Sequence, residues 1–401
     1  MNKQIIDVDI NKIPVEWNES TNPCSIGPMK IYNDTIILGG RYGLYHFYDN
    51  EIHRVTPKTF RQCLIPFLQF PCTDLVRQMD SLFYTSFINK DGFYHVAVNE
   101  YNFKERKRNF LFSIPTLFFC VKDYKDIDNL YNSYRTYFKY LSSEYILFHF
   151  EQNFDYEKDT YKNKIFDVKN KRILSLDEIS FKIEQAQYIE NNKNKYLVLE
   201  NYDGLNFREE REELFLECEN QGQESPNKKQ LVLVDLNKFL QGKSNYIENI
   251  HSCFIDKSIS LADIGNNHSF DILYHLLDFK AKKRFLVKYN ILTKKKDYIF
   301  IKTGYDKAII NINETLYFID EEADDNMLVL TNIINNKAIK IDESLGQFDQ
   351  FMNEENVILL DTKSKASSTY VYNLKNKSTE KLQGILHYFK QEDKFVRILK
   401  S

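Results

Sequence analysis

The sequence predicts an all-β protein in which one small sheet recurs eight times along 401 residues. Short apolar runs close on an Asp or Asn at positions 9, 49, 99, 167, 235, 290, 332 and 373, each just before a polar turn. Residues suited to half-buried strands are abundant, with 27 Tyr and 31 Phe against a single Trp, Trp17. The two ends of the chain also carry complementary fragments of one repeat, and a repeat fixes architecture before any single motif is weighed.

Four strands, A to D, are expected in each repeat, and B and C read most clearly. Strand B is Thr35 to Leu38, Leu82 to Phe87, Tyr145 to Phe150, Tyr196 to Leu199, Asp271 to Leu277, Thr315 to Ile319, Val357 to Leu360 and Phe395 to Leu399. Each is short, rich in aromatic or β-branched residues, and bounded by Asn, Asp, Ser or Gly. Strand C ends on the recurring Asp or Asn, in DVDI, FYDN, AVNE, IFDV, LVDL, KYNI, LTNI and VYNL. Its short side chain can accept a hydrogen bond from the backbone about two residues on and stabilise the turn into strand D. The closing residues lie 40, 50, 68, 68, 55, 42 and 41 apart, a variation that surface loops absorb and strands do not.

The last segment, GILHYFKQEDKFVRILKS, supplies an A and a B strand and no C. The first, IIDVDINK, is a C strand without A or B and matches the internal LVLVDLNK at Leu231 to Lys238. Residues 1–12 and 383–401 are therefore expected to form one closing unit jointly, so that 1–401 is a single domain.

This pattern resembles a β-propeller along the whole chain. Asn33 to Thr56, NDTIILGGRYGLYHFYDNEIHRVT, is similar to the repeat in the propeller sensor regions of two-component regulators, including Gly39-Gly40, Gly43-Leu44 and Tyr48-Asp49. The resemblance implies a closed ring of eight blades of about four antiparallel strands, sealed by the N-terminal strand pairing with the C-terminal ones. A ring of that kind hides exposed sheet edges. Seven blades is the alternative count, and a β-sandwich or solenoid is the alternative architecture. Blade-ending Trp-Asp pairs, recurrent paired glycines and blade-repeated tryptophans are all missing, so no functional residue is carried over from other propeller families.

A net charge of −3 and a pI near 6.3 carry no polybasic bias toward nucleic acid or anionic membrane. The six cysteines contain no C-x-x-C and suggest neither a zinc site nor a disulfide scaffold. The first residues have no apolar leader core, and a soluble, cytoplasmic, monomeric protein without cofactor or metal is expected. G-x-x-x-x-G-K-[ST], G-x-S-x-G and H-E-x-x-H do not occur, and no catalytic residue is assigned.

Candidate contacts therefore sit in loops. In the propeller resemblance, B to C and D to A loops share one face, and A to B and C to D turns the other. The B to C insertion 203–228 holds eight acids against three bases, and Phe207, Arg208, Glu209, Glu210, Glu212, Glu213 and Phe215 lie in its central run. It reads either as a solvated loop or as a docking element. Glu321, Glu322, Asp324 and Asp325 in the 320–325 loop extend the acidic rim. Two apolar D to A connections, 60–72 and 113–124, place Phe67, Phe70, Phe118 and Phe119 as candidate protein contacts, or as outer strands packed between blades. The C to D turns are basic, with Lys104, Arg106, Lys107, Arg108, Lys294, Lys295 and Lys296. Histidines 46, 95, 149, 275 and 387 lie inside strands and are expected to be structural. The leading expectation is a non-catalytic propeller that binds another protein as scaffold, inhibitor or neutralising partner. The alternative is a glycan- or peptide-active hydrolase or lyase with its site at the central channel.

Overall fold

The computed structural model describes residues 4–9, 27–40, 43–55, 81–90, 92–119, 136–142, 144–150, 162–201, 216–217, 228–254, 256–262, 270–303, 309–312, 315–322, 327–333, 335, 337–361, 368–390 and 392–399. Strand β1 (Ile5–Asp9) opens the chain. Sheet one is β2 (Gly27–Tyr32), β3 (Thr35–Gly40), β4 (Gly43–Tyr48) and β5 (Glu51–Arg54). Sheet two is β6 (Ser81–Lys90), β7 (Phe93–Asn102) and β8 (Lys107–Phe119). Sheet three is β9 (Thr136–Tyr140), β10 (Tyr145–Phe150), β11 (Lys162–Asp167) and β12 (Arg172–Ser175). Sheet four is β13 (Ile183–Asn191), β14 (Asn194–Asn201), β15 (Lys229–Asp235) and β16 (Ile247–Cys253). Sheet five is β17 (Lys257–Leu261), β18 (Asp271–Asp278), β19 (Lys283–Asn290) and β20 (Lys296–Thr303). Sheet six is β21 (Ile309–Ile312), β22 (Thr315–Glu322), β23 (Met327–Asn332) and β24 (Ala338–Asp342). Sheet seven is β25 (Gln347–Phe351), β26 (Asn356–Asp361), β27 (Ser368–Asn373) and β28 (Thr379–Gln383). Strands β29 (Leu386–Phe389) and β30 (Lys394–Leu399) complete the chain and pair with β1 in an eighth sheet.

Strands that follow one another in sequence are neighbours in every sheet, and all eight predicted B strands lie within observed strands. The chain is thus nearly all-β, in small and mostly antiparallel sheets. It divides into two compact units, one of residues 1–176 with 342–401 and one of residues 177–341.

In the first unit, packing on both faces of each sheet explains why the strands read as unbroken apolar runs rather than alternating ones. Ile36 and Leu38 join Val8, Phe389 and Val396 on one side, while Ile37, between them, joins Leu82, Tyr84 and Tyr101 on the other. All three are fully buried, worth roughly 2–3 kcal/mol each by area removed from water. Sheet seven meets the eighth through Ile358, Val371, Leu386 and Phe395, and sheet two meets sheet three where Phe112 touches Phe148 and Phe166. In the second unit, sheets four and five share Val198, Leu233, Ile259 and Tyr274, and sheets five and six share Leu286, Leu316 and Ile333.

The recurring Asp or Asn does work in the turn after strand C, chiefly by accepting from the amide three residues on. Asn170 N–H donates to Asp167 at 3.0 Å, Thr293 N–H to Asn290 at 3.0 Å, Asn335 N–H to Asn332 at 3.1 Å and Asn376 N–H to Asn373 at 2.9 Å. Three copies differ. At 49 the chain turns through Asp49 and Asn50, both left-handed with φ 52° and 59°, the two-residue hairpin turn that matches strand twist. At 235 a helix, α1 (Leu236–Leu240), replaces the turn, with Asp235 as its N-cap. In sheet two the closing residue is Asn102, not Asn99: β7 runs past Asn99 at a register shift, and Glu105 N–H donates to Asn102 at 2.8 Å. The extra residue of that bulge is Leu111 on β8, so β7 itself runs on unbroken.

Strand β1 takes the expected third position beside β30, and it runs the other way. Ile5 to Asp9 pair in parallel with Phe395 to Leu399, so the eighth sheet is mixed rather than antiparallel. Arg397 grips Asp7 through both carboxylate oxygens at 2.7 and 2.8 Å. That bidentate pair, with Val8 buried beneath, sets register without regard to strand direction.

Candidate functional site

Two places in the described structure gather ionisable side chains away from bulk water. The first lies on the first strands of two neighbouring sheets of the first unit, β25 and β29. Gly346 sets β25 against β26: a Cβ there would stand 2.8 Å from the Leu360 carbonyl carbon, so the backbones can approach only at glycine. Along β25 a bulge leaves Asp349 without a partner on β26, and Asp349 is exposed while Phe351, two residues on, is buried. Gln350 donates from one amide nitrogen to Asp349 Oδ2 at 3.2 Å and to the Tyr388 carbonyl at 3.1 Å, joining the two strands.

His387 precedes Tyr388 on β29 and interacts electrostatically with Asp349. Burial pushes the Asp349 carboxyl above its ordinary value, against the Gln350 hydrogen bond and the His387 charge. Burial also pulls His387 below its ordinary value, against the Asp349 charge. Asp349 nonetheless keeps an exposed surface. Both shifts run toward the uncharged forms, so each group gives up its charge more readily than a free side chain would.

The second place lies in the second unit, at the neck of the 203–228 insertion. Strand β13 carries a bulge between Ile183 and Gln185, and the extra residue, Glu184, is turned to meet Lys229. Lys229 also bonds Glu200 at 2.7 Å, and the Leu261 amide of sheet five donates to Glu200 at 2.7 Å. Glu200 is 1% exposed and Lys229 3%. Asn201 completes the neck, donating to the Lys228 carbonyl at 2.7 Å and accepting from Gln230 N–H at 2.6 Å.

One ammonium between two carboxylates neutralises only one of them. Burial lifts Glu200 to about 7 despite Lys229 and the Leu261 amide. Burial would lower Lys229, but the two carboxylates outweigh it and hold its amine above the usual value. The Glu184 side chain is 39% exposed and that of Glu200 1%, so it is Glu200 whose charge burial penalises. Sequence reasoning missed this cluster. Its only signals are a lysine opening the apolar strand KQLVLVD and a glutamate near the end of NKYLVLEN.

The expected contacts are not brought together among the described residues. Phe67, Phe70, Phe207, Arg208, Glu209, Glu210, Glu212, Glu213, Phe215, Asp324 and Asp325 lie outside them. Glu321 and Glu322 end strand β22, paired with Leu328 and Met327, so the strand reaches into the stretch expected to be loop. Phe118 and Phe119 end β8, a 13-residue strand that absorbs the start of the expected 113–124 connection. The β8 ladder pairs His95 with Pro115 and, after a register shift, Phe93 with Phe119.

His46 is a structural histidine, fully buried between the Tyr101 hydroxyl at 3.0 Å and the Thr35 hydroxyl at 2.7 Å. Burial, with the Arg106 and His53 charges, brings it down to about 4. His251 behaves alike, 2.9 Å from the Tyr274 hydroxyl. Among the described residues no group of three or more His, Cys, Asp or Glu is arranged to hold a metal ion. None of their helices is long and apolar enough to cross a membrane.

No family model matches the sequence, and no curated relative does. Among solved structures, an oligogalacturonate lyase in complex with manganese is similar at a TM-score of 0.47 and 10% identity, over 85% of this chain and 86% of that one. The β-propeller domain of the trilobed protease from Pyrococcus furiosus, described as having an open velcro topology, is similar at 0.43 and 10%, over 90% and 96%. TolB from Acinetobacter baumannii is similar at 0.29 and 8%, over 79% and 83%. At these values no residue of those proteins is mapped onto this chain.

Proposed function

We propose that the chain is an enzyme, a glycan- or peptide-active hydrolase or lyase, and that Asp349 and His387 are its acid and base. The eight sheets are the blades of one closed propeller in this reading, with β25 and β29 on the wall of its central channel. The carrying observation is an acid and a histidine on adjacent first strands, both displaced toward their uncharged forms and tied by the Gln350 bridge. At ordinary values the combination of protonated Asp and neutral His is scarce, and both shifts run in the direction that favours it. Phe348 beside Asp349 adds the apolar surface that glycan and peptide sites pair with a few polar groups.

The test assays wild type, Asp349→Asn and His387→Gln on panels of oligosaccharides and peptides across pH. Turnover in wild type, lost at least a hundredfold in both variants at unchanged melting temperature, is the expected result. Full activity in both variants, or no turnover on either panel, removes the proposal. A second reading, protein binding through the 203–228 insertion, is favoured by the hydrogen bonds and ion pair that tie together the strands on either side of it. Capture of a partner by the intact chain and its loss on deleting 203–227 would support that reading; unchanged capture would refute it.

A further inference from the structure

In the second unit, side chains from sheet five reach across to β16, the last strand of sheet four. The Tyr289 hydroxyl donates to Glu248 at 2.8 Å, and the Tyr274 hydroxyl lies 2.9 Å from His251 Nδ1. Tyr274, Val287 and Tyr289 belong to the core that the two sheets share. On β20, the last strand of sheet five, Lys296 stands opposite Tyr289 and Tyr298 opposite Val287. Directly opposed residues share a face, so Lys296 and Tyr298 lie on the side of sheet five that meets sheet four.

His46 has both ring nitrogens bonded, and His251 has one. Tyr274 is 0% exposed, and His251 Nδ1 is the hydrogen-bond partner of its hydroxyl among the described residues. A buried phenol proton without an acceptor is costly, so the hydroxyl donates to Nδ1. That bond puts the imidazole proton on Nε2, which has no partner among the described residues and is open to solvent. The charges of Lys296 and Lys257 both act on this ring. Lys257 pairs with Asp278 at 3.7 Å, and Lys294 pairs with Glu248. Lys296 has no carboxylate in ion-pair contact among the described residues, and burial, with no acid opposing it, pulls its amine below the ordinary value. A half-buried ammonium and an N–H donor thus stand in one gap, and neither has an acceptor. Tyr298, 53% exposed, adds an aromatic face beside them.

We propose that Lys296, His251 and Tyr298 form a binding site for a small organic carboxylate. The site is independent of Asp349 and His387. Glu248, the acid facing the same gap, is already met by Lys294 and the Tyr289 hydroxyl, so the Lys296 charge is left for a ligand. A carboxylate brings a single charge and two oxygens, one for the ammonium and one for the Nε2 proton. A phosphate monoester would bring nearly two charges against one. A ring attached to the carboxylate would lie against Tyr298.

The experiment follows binding of para-fluorobenzoate to the full chain by fluorine NMR, with para-fluorobenzyl alcohol and para-fluorophenyl phosphate as comparison ligands. Wild type should bind the benzoate, and the uncharged alcohol roughly tenfold more weakly. Lys296→Gln, a change at a half-buried side chain without an ion pair, should weaken benzoate binding about tenfold at an unchanged melting temperature. His251→Gln and Tyr298→Ala should each weaken it about threefold. Lys295→Gln, whose lysine pairs with Asp297 at 3.3 Å, should bind as wild type does. Absence of benzoate binding, equal binding of the alcohol, or undiminished binding by Lys296→Gln would overturn the proposal. An equal loss in Lys295→Gln would overturn it too, by reducing the effect to general positive charge. So would tighter binding of the phosphate with the same dependence on Lys296, which would assign the site to phosphate.

Discussion

Glu200 shares one ammonium with Glu184 and has almost no water of its own. Its carboxyl stands at about 7 against an ordinary 4.5, so between those values the folded chain keeps a proton that the unfolded chain releases. Stability therefore falls as pH rises through that window. Glu200→Gln keeps a neutral acceptor for the Leu261 amide and leaves Lys229 paired with Glu184. Its stability relative to wild type should increase by roughly 1–3 kcal/mol between pH 5 and 8, read from urea midpoints at each pH. A pH-independent difference would show that Glu200 is ionised throughout. A glutamate near the end of an apolar run looks, in sequence, like the start of a loop. Only the folded chain brings Glu184, 16 positions earlier, and Lys229, 29 positions later, to the same carboxyl.

At the scale of elements, the turns after the third strands were legible because an Asx turn needs only local geometry. The sheet-two copy was read three residues early. Val98-Asn99 has the look of a strand end, but β7 runs on past a bulge at Leu111 of β8, and Tyr101 and Phe103 beyond it join the core. Asn102→Ala should cost about 1 kcal/mol through the lost bond to Glu105 N–H, measured by denaturant unfolding. A loss at Asn99→Ala with none at Asn102→Ala would return the turn to the earlier position. Strand ends at 320–322 and 113–119 were misread for a related reason: acidic and mixed sequences can continue a ladder when a partner strand supplies it.

At the scale of the whole molecule, the expected joining of the chain's first and last segments is met in position and reversed in direction. Removing residues 1–9 takes Val8 from the cluster with Ile31 and Val396, and takes the partner of Arg397. The loss should be about 3–5 kcal/mol, with recovery when a peptide of residues 1–12 is added in trans, followed by urea unfolding. A neutral deletion, or no recovery with peptide, would mean that β1 is not needed to complete the eighth sheet.

The sequence by itself determined the strand content, the repeat, the turns and the meeting of the two chain ends, because periodicity and turn chemistry are local and recur eight times. Tertiary structure alone decided the direction of β1, the bulge that turns Glu184 toward Lys229, and the bridge from Asp349 through Gln350 to the strand that carries His387. Those features depend on side chains far apart in the chain and on desolvation by neighbouring sheets, and neither leaves a periodic trace in the sequence.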